Sequence, residues 1–115
     1  MSDECVFCRI VTGEISATIV LENEHAVAFE DVNPQAPTHI LIVPRKHIGT
    51  LNDLRADDEA LVGQLLTMAR DIAQMRGHAA AGYRTVFNCN ADAGQTVFHL
   101  HLHILGGRKL SWPPG

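Results

Sequence analysis

The segment that most constrains this chain is Val97-Phe98-His99-Leu100-His101-Leu102-His103-Ile104-Leu105, where three histidines alternate with apolar residues. A period of two belongs to an extended strand, whose side chains point to opposite faces in turn. The pattern predicts a strand over residues 97–105, with Phe98, Leu100, Leu102 and Ile104 in a core and His99, His101 and His103 on the other face. At roughly 3.4 Å per residue, neighbouring imidazoles on that face stand about 6.8 Å apart, too far for direct hydrogen bonds but suited to lining a groove. Imidazole gains and loses a proton near neutral pH, and it can attack phosphorus to give a labile covalent intermediate. His-x-His on a strand is also a common metal-ligand pair. On spacing alone, phosphate chemistry and metal binding both stay open.

The rest of the chain predicts what this strand packs against. Phe7, Ile10 and Val11 form one face of a short helical turn ended near Gly13. Residues 18–21, 26–29, 39–43 and 83–88 read as strands, the first two as a hairpin turning at Glu24-His25. Pro34 and Pro37 keep residues 31–37 irregular, and residues 90–96 form a polar turn containing Gly94. Residues 57–76 predict the one long helix. Leu61, Leu65, Met68, Ile72 and Met75 recur at spacings of four and three, an apolar stripe that covers a sheet, with the methionines as core filler. Asp57, Asp58 and Glu59 suit the positive end of that helix, and Gly77 suits its termination. Strands on both sides of a single helix point to an α+β fold in one domain spanning residues 1–115.

Composition narrows the function. A chain of 115 residues that is 46% hydrophobic and 19% charged has material for a core. The net charge is −4 and the nine Lys and Arg residues are scattered, which argues against nucleic-acid and anionic-membrane partners. No apolar run approaches the roughly 20 residues of a membrane helix. Residues 1–4 are acidic and polar, unlike a secretion signal. The cysteine count is odd, with Cys5 and Cys8 close together and Cys89 distant, a poor disulfide framework. The expected location is the cytoplasm. Cys89 reads as a buried thiol, and His25 and His78 as solvated turn residues.

Two further groups carry chemistry. The two-residue gap between Cys5 and Cys8 lets both thiolates reach one metal, whereas a redox pair of that spacing normally sits in a βαβ context, which is lacking here. Gly94, Thr96, Asn88 and Asp31 offer close backbone approach, a hydroxyl, an amide and a carboxylate to a sugar-bearing anionic ligand. Each one singly is also an ordinary turn residue.

Taken together, these segments resemble the histidine-triad (HIT) family. The resemblance runs from Phe7-Cys8-Arg9-Ile10, through Asp31 and Pro34-Gln35-Ala36-Pro37-Thr38-His39, to Gly94-Gln95-Thr96-Val97 and the triad itself. It closes with Gly106-Gly107-Arg108 and Trp112-Pro113-Pro114-Gly115, a tail similar to the nucleotide-binding branch rather than the dinucleoside-polyphosphate hydrolase branch. The resemblance implies a HIT-like α+β fold with an antiparallel sheet of about five strands, continued across a homodimer. It implies hydrolysis of purine nucleoside 5′-phosphoramidates, with aminoacyl adenylates as a further class, and no organic cofactor. It implies His101 as the nucleophile, His103 as phosphate donor and proton-transfer aid, and His39 as support. Asn88, Gly94, Gln95 and Thr96 would contact the phosphate, Asp31 the ribose, and Val32, Phe7 and Ile10 the base. Trp112 would reach the partner subunit's site. A structural zinc on Cys5, Cys8, His47 and His99 is implied by the same resemblance. Two other functions stay open: a zinc-stabilised nucleotide-binding or scaffold protein, and a dinucleoside polyphosphate hydrolase.

Overall fold

The computed structural model describes residues 4–115; of the acidic N-terminal run, residues 1–3 lie outside them. Five strands form one antiparallel sheet: β1 (Ile19–Glu22), β2 (Ala26–Glu30), β3 (Thr38–Pro44), β4 (Tyr83–Phe87) and β5 (Leu102–Gly106), in the order β1-β2-β3-β5-β4. Two α-helices accompany them, α1 (Val6–Val11) and α2 (Glu59–Met75). The predicted α+β architecture and its five strands are thus observed.

β3 lies at the centre because its sequence, Thr-His-Ile-Leu-Ile-Val-Pro, has no solvent-facing position, and all seven residues are buried. β-Branched residues suit such a pleated, doubly covered position. Its alternation divides the molecule into two layers. Ile40 and Ile42 join Ala26, Ala28, Leu102 and Ile104 under Leu65, Met68, Ala69 and Ile72 of α2. Leu41 and Val43 join Val27, Phe29 and Phe7 on the opposite face, beside α1. The functional face is therefore the one that α2 leaves uncovered.

The end of α2 positions the last strand. Gly77 adopts φ +78°, His78 N–H donates to the Ala73 carbonyl at 2.8 Å, and Gly77 N–H donates to that of Gln74 at 3.2 Å. This is the left-handed glycine cap that satisfies the last carbonyls of a helix. It delivers His78 onto Thr38, whose hydroxyl lies 2.8 Å from Nε2. His78 is thus half-buried and partnered rather than solvated, because the helix cap points it back at the sheet. At the other end of α2, Asp58 is buried and holds Lys46 Nζ at 2.6 Å and the Arg55 N–H at 3.0 Å.

Three expectations fail for identifiable reasons. The strand predicted from residue 97 begins only at Leu102, since Leu100 N–H donates to the Ile48 carbonyl at 2.6 Å outside the β3 and β4 ladders. Phe98, placed in the core by alternation, consequently swings outward and is 51% exposed. Met75 closes the apolar stripe in sequence but lies off the buried face of α2, which runs through Leu65, Met68, Ala69, Ile72 and Ala73, and is 59% exposed. Met68 is core filler as expected, and Cys89 is half-buried rather than buried. Among the described residues, no helix is long and apolar enough to cross a membrane.

Candidate active site

On the face away from α2, a groove of about 800 Å³ opens between α1, the β2–β3 loop and the triad segment. Its walls include Phe7, Ile10, Asp31, Val32, Thr96, His101 and His103. Seven of the residues assigned to ligand binding from sequence thus meet in one concavity. His39, buried on β3, stands directly behind it with Nε2 3.0 Å from His103 Nδ1.

The imidazoles are arranged by backbone groups, and those groups settle which nitrogen carries each proton. His39 Nδ1 accepts the Gln35 N–H at 3.0 Å, so its Nε2 is protonated. That Nε2–H faces His103 Nδ1, and Asp31 Oδ2 lies 3.4 Å from the same nitrogen, close to His103 as well. With Nδ1 accepting, neutral His103 carries its proton on Nε2. His101 is the reverse: its Nδ1–H donates to the His99 carbonyl at 2.7 Å, which leaves the lone pair on Nε2. Two neighbouring rings, with centroids 4.9 Å apart, therefore offer opposite functions, one a lone pair and one a donor. The rings stand closer than the about 6.8 Å repeat of an extended backbone.

Electrostatics keep these rings neutral. Burial, with His101 and His39 as neighbours, pushes His103 down to about 4. Burial likewise lowers His101, partly opposed by its bond to the His99 carbonyl. An unprotonated His101 is the form in which an imidazole can attack.

Asp31 is pinned at the mouth of the groove. Its N–H donates to the His39 carbonyl at 3.0 Å and its Oδ1 accepts the Asn33 N–H at 2.8 Å, an Asx turn. Val32, fully exposed, projects beside it. The residues 88–95 contribute differently. Asn88 and Gly94 do not line the groove. Gln95 is buried and occupied by the backbone, accepting from Asn90 N–H at 2.8 Å and donating to the Gly49 and Val97 carbonyls at 3.0 and 3.1 Å. Its side chain braces the turn that carries Thr96 to the groove.

Sequence reasoning missed other groove walls. Phe29 and Leu41 line it, and period-two alternation from His39 and Asp31 could have found them. Ile15, Ser16, Ala17 and Thr18 also line it, from an irregular segment whose sequence carries no signal of that role.

His99 is the triad member that does not face the groove. It is fully buried in a cluster with Cys5, Cys8 and His47, whose four donor atoms all lie within 4.8 Å of one another. Its Nδ1 is 3.4 Å from Cys5 Sγ, 3.5 Å from Cys8 Sγ and 3.2 Å from His47 Nδ1, and Cys8 Sγ is 3.2 Å from His47 Nδ1. Tetrahedral bonds of about 2.0 Å to nitrogen and 2.3 Å to sulfur require edges of about 3.3 to 3.8 Å. The cluster has nearly those dimensions, and its donor set could hold a metal ion. His99 Nε2–H donates to the Pro44 carbonyl at 2.8 Å, which turns the Nδ1 lone pair toward the cluster. That outer bond is the usual means of orienting a ligating histidine. Burial pushes His99 down to about 4, and burial beside Cys5 pushes Cys8 up to about 11, so a metal would displace a thiol proton on binding.

Comparison with known proteins agrees with this geometry. A family model described as HIT domain matches residues 12–110. The chain is 49% identical, over 115 residues and the full length of both proteins, to an uncharacterized HIT-like protein of Synechocystis sp.. It is 46% identical over 110 residues to the purine nucleoside phosphoramidase of Escherichia coli, covering 96% of this chain and 92% of that protein. The structure matches a HIT family hydrolase from Legionella pneumophila with a TM-score of 0.96 and 53% identity, over 97% of this chain and 100% of that one. It matches a histidine triad protein from Clostridium difficile with a TM-score of 0.93 and 42% identity, over 96% of each chain. A triad strand with complementary tautomers, set in this fold and matched along nearly its whole length, belongs to a HIT-family hydrolase, and this chain is a member of that family.

Proposed function

We propose that the protein hydrolyses the P–N bond of purine nucleoside 5′-phosphoramidates through a nucleotidyl intermediate on His101, with aminoacyl adenylates as a further substrate class. The observation that carries this reading is the bond from His101 Nδ1 to the His99 carbonyl, 2.7 Å, which leaves Nε2 as a lone pair beside the groove. In the first step that nitrogen bonds to the α-phosphorus and the amine departs. His103 hydrogen-bonds the phosphoryl oxygens through Nε2–H, where charge develops, and assists proton transfer to the amine. Water then attacks phosphorus, giving up a proton to His103 as the bond from phosphorus to His101 Nε2 breaks, and the nucleoside monophosphate leaves. Thr96 serves the phosphate from the groove wall, and the contacts of Asn88, Gly94 and Gln95 with it rest on the family resemblance alone. Asp31 takes the ribose hydroxyls, and Phe7, Ile10 and Val32 flank the base.

Within this reading, residues 1–115 form one HIT domain working in the cytoplasm, without nucleic-acid or membrane partners. The metal of the Cys5, Cys8, His47 and His99 cluster is zinc, and it is structural, because four protein donors leave no open position. Two copies pair into a homodimer with a continuous sheet. In support, β4 is an edge strand of the sheet, and Trp112 is 82% exposed in the isolated chain. Trp112 would then contribute to the partner subunit's groove.

The test is release of adenosine monophosphate from adenosine 5′-phosphoramidate by the wild type and His101→Ala, with diadenosine tetraphosphate as a competing substrate. The expected result is turnover of the phosphoramidate, preferred over the dinucleotide and reduced by about 10³-fold or more in the variant, with monophosphate binding largely kept. A folded wild type that binds the monophosphate but turns over neither compound would overturn the phosphoramidase assignment in favour of a binding protein.

A further inference from the structure

We infer that His99 and Phe7 are positioning residues that link occupation of the four-donor cluster to nucleotide binding in the groove. The inference rests on the proposed nucleotide site.

His99 belongs to both sites at once. Its Nδ1 faces the cluster, its Nε2–H is anchored on Pro44, and its own carbonyl receives the Nδ1–H of His101. The ring is fully buried and held at both nitrogens, by the Pro44 carbonyl and by the cluster, so it does not turn independently of its backbone. A displacement of the ring toward or away from the cluster therefore moves the carbonyl that holds His101 in its nucleophilic tautomer.

Phe7 supplies the second link. It lies between Cys5 and Cys8 in sequence, and its ring stands edge-on to His101 with centroids 5.0 Å apart and an interplanar angle of 88°. The same ring meets Phe29 at 5.4 Å and His99 at 6.1 Å, and it forms part of the groove wall. Its helix has six residues, too few to persist without tertiary support. Cys5 caps that helix by accepting the Cys8 N–H at 3.3 Å. The two donors that would enter the metal site thus also fix where Phe7 can sit. With the cluster occupied, the groove wall is already ordered when the nucleotide arrives. With it empty, α1 keeps only its packing on Val27, Phe29, Leu41 and Val43, and nucleotide binding must also fix the Phe7 ring against His101. Two ligands that favour the same arrangement bind with positive coupling, and the coupling is equal in both directions.

The full chain is stripped with a chelator and compared with the same protein given one equivalent of Zn²⁺. Calorimetry measures adenosine monophosphate binding to both forms, and chelator competition measures zinc affinity with and without saturating monophosphate. Zinc is expected to tighten monophosphate binding by about 5- to 150-fold, and monophosphate to tighten zinc binding by the same factor. Phe7→Leu retains all four donors; it should bind zinc much as the wild type does, with the coupling factor falling toward one. Nitrogen-15 spectra of His101 give a readout that needs no nucleotide: its Nδ1–H signal should shift when zinc is added. Failure to bind zinc stoichiometrically, or a coupling factor of one in the wild type, overturns the inference. Undiminished coupling in Phe7→Leu, as general unfolding of the metal-free chain would produce, overturns the role given to Phe7. If neither form binds the monophosphate, the proposed substrate site fails, and an unmoved His101 signal would overturn the linkage separately.

Discussion

At the residue scale, each histidine behind the chemistry is defined by what its non-reacting nitrogen touches. The Gln35 N–H fixes His39, His39 fixes His103, and the His99 carbonyl fixes His101. His39→Ala should leave the nucleophile in place but free His103 to turn. Phosphoramidate kcat is expected to fall by about 10- to 100-fold, less than in His101→Ala, as for a misplaced catalytic group. His103 also predicts a pH effect. Its folded value near 4 lies below the ordinary value of about 6.5, so between those limits the unfolded chain binds the proton and the native one does not. Stability is unaffected by this group above about pH 6.5 and declines as the pH falls toward 4. Urea midpoints measured across that window should drop on acidification, and His103→Gln should flatten part of the slope. The alternation of the triad was legible in sequence, but these tautomers were not, because their partners are main-chain groups that every residue possesses.

At the element scale, β5 and α2 were readable because each has one face that must be buried, and β3 because it is a continuous apolar run buried on both faces. The triad strand was half misread. Its sequence alternates throughout, yet only residues from Leu102 onward pair in the sheet, and the departure depends on the Ile48 carbonyl from a distant loop. Met75 was misread because the buried face of α2 ends on Ile72 and Ala73, and Met75 falls to its side. The junction of α2 with β5 gives a direct test of packing. A Cβ at Gly106 would lie 2.8 Å from the His78 ring, which Thr38 holds in place. Gly106→Ala should therefore cost about 1–3 kcal/mol in denaturant unfolding, as overpacking does. Met75→Gln, out in solvent, should stay within about 0.5 kcal/mol of wild type.

At the scale of the whole molecule, the radius of gyration of 13.7 Å is close to the about 13 Å of a compact chain of this length. The cluster joins α1 to the end of β3 and to the triad segment, three parts distant in sequence. Metal removal should therefore act globally. A ligand held well above its dissociation constant contributes a few kcal/mol, and each kcal/mol is worth about 4–8 °C in a domain of this size. Chelation is expected to lower the melting temperature by about 10 °C or more, and added zinc to restore it. The proposed pairing rests on the family resemblance, to which an exposed Trp112 and an edge strand add support. Sedimentation should give about twice the 12.6 kDa chain mass. Trp112→Ala should change the melting temperature little while raising KM for the phosphoramidate several-fold.

The point where the triad segment leaves the sheet also supplies a clock. Leu100 sits between His99 and His101, and its amide is held by the Ile48 carbonyl at 2.6 Å. Hydrogen–deuterium exchange at that one amide would time the opening of the backbone that carries His101, the proposed nucleophile. Protection factors there, compared with those of the ladder amides from Leu102 onward, would separate breathing of the triad segment from unfolding of the protein.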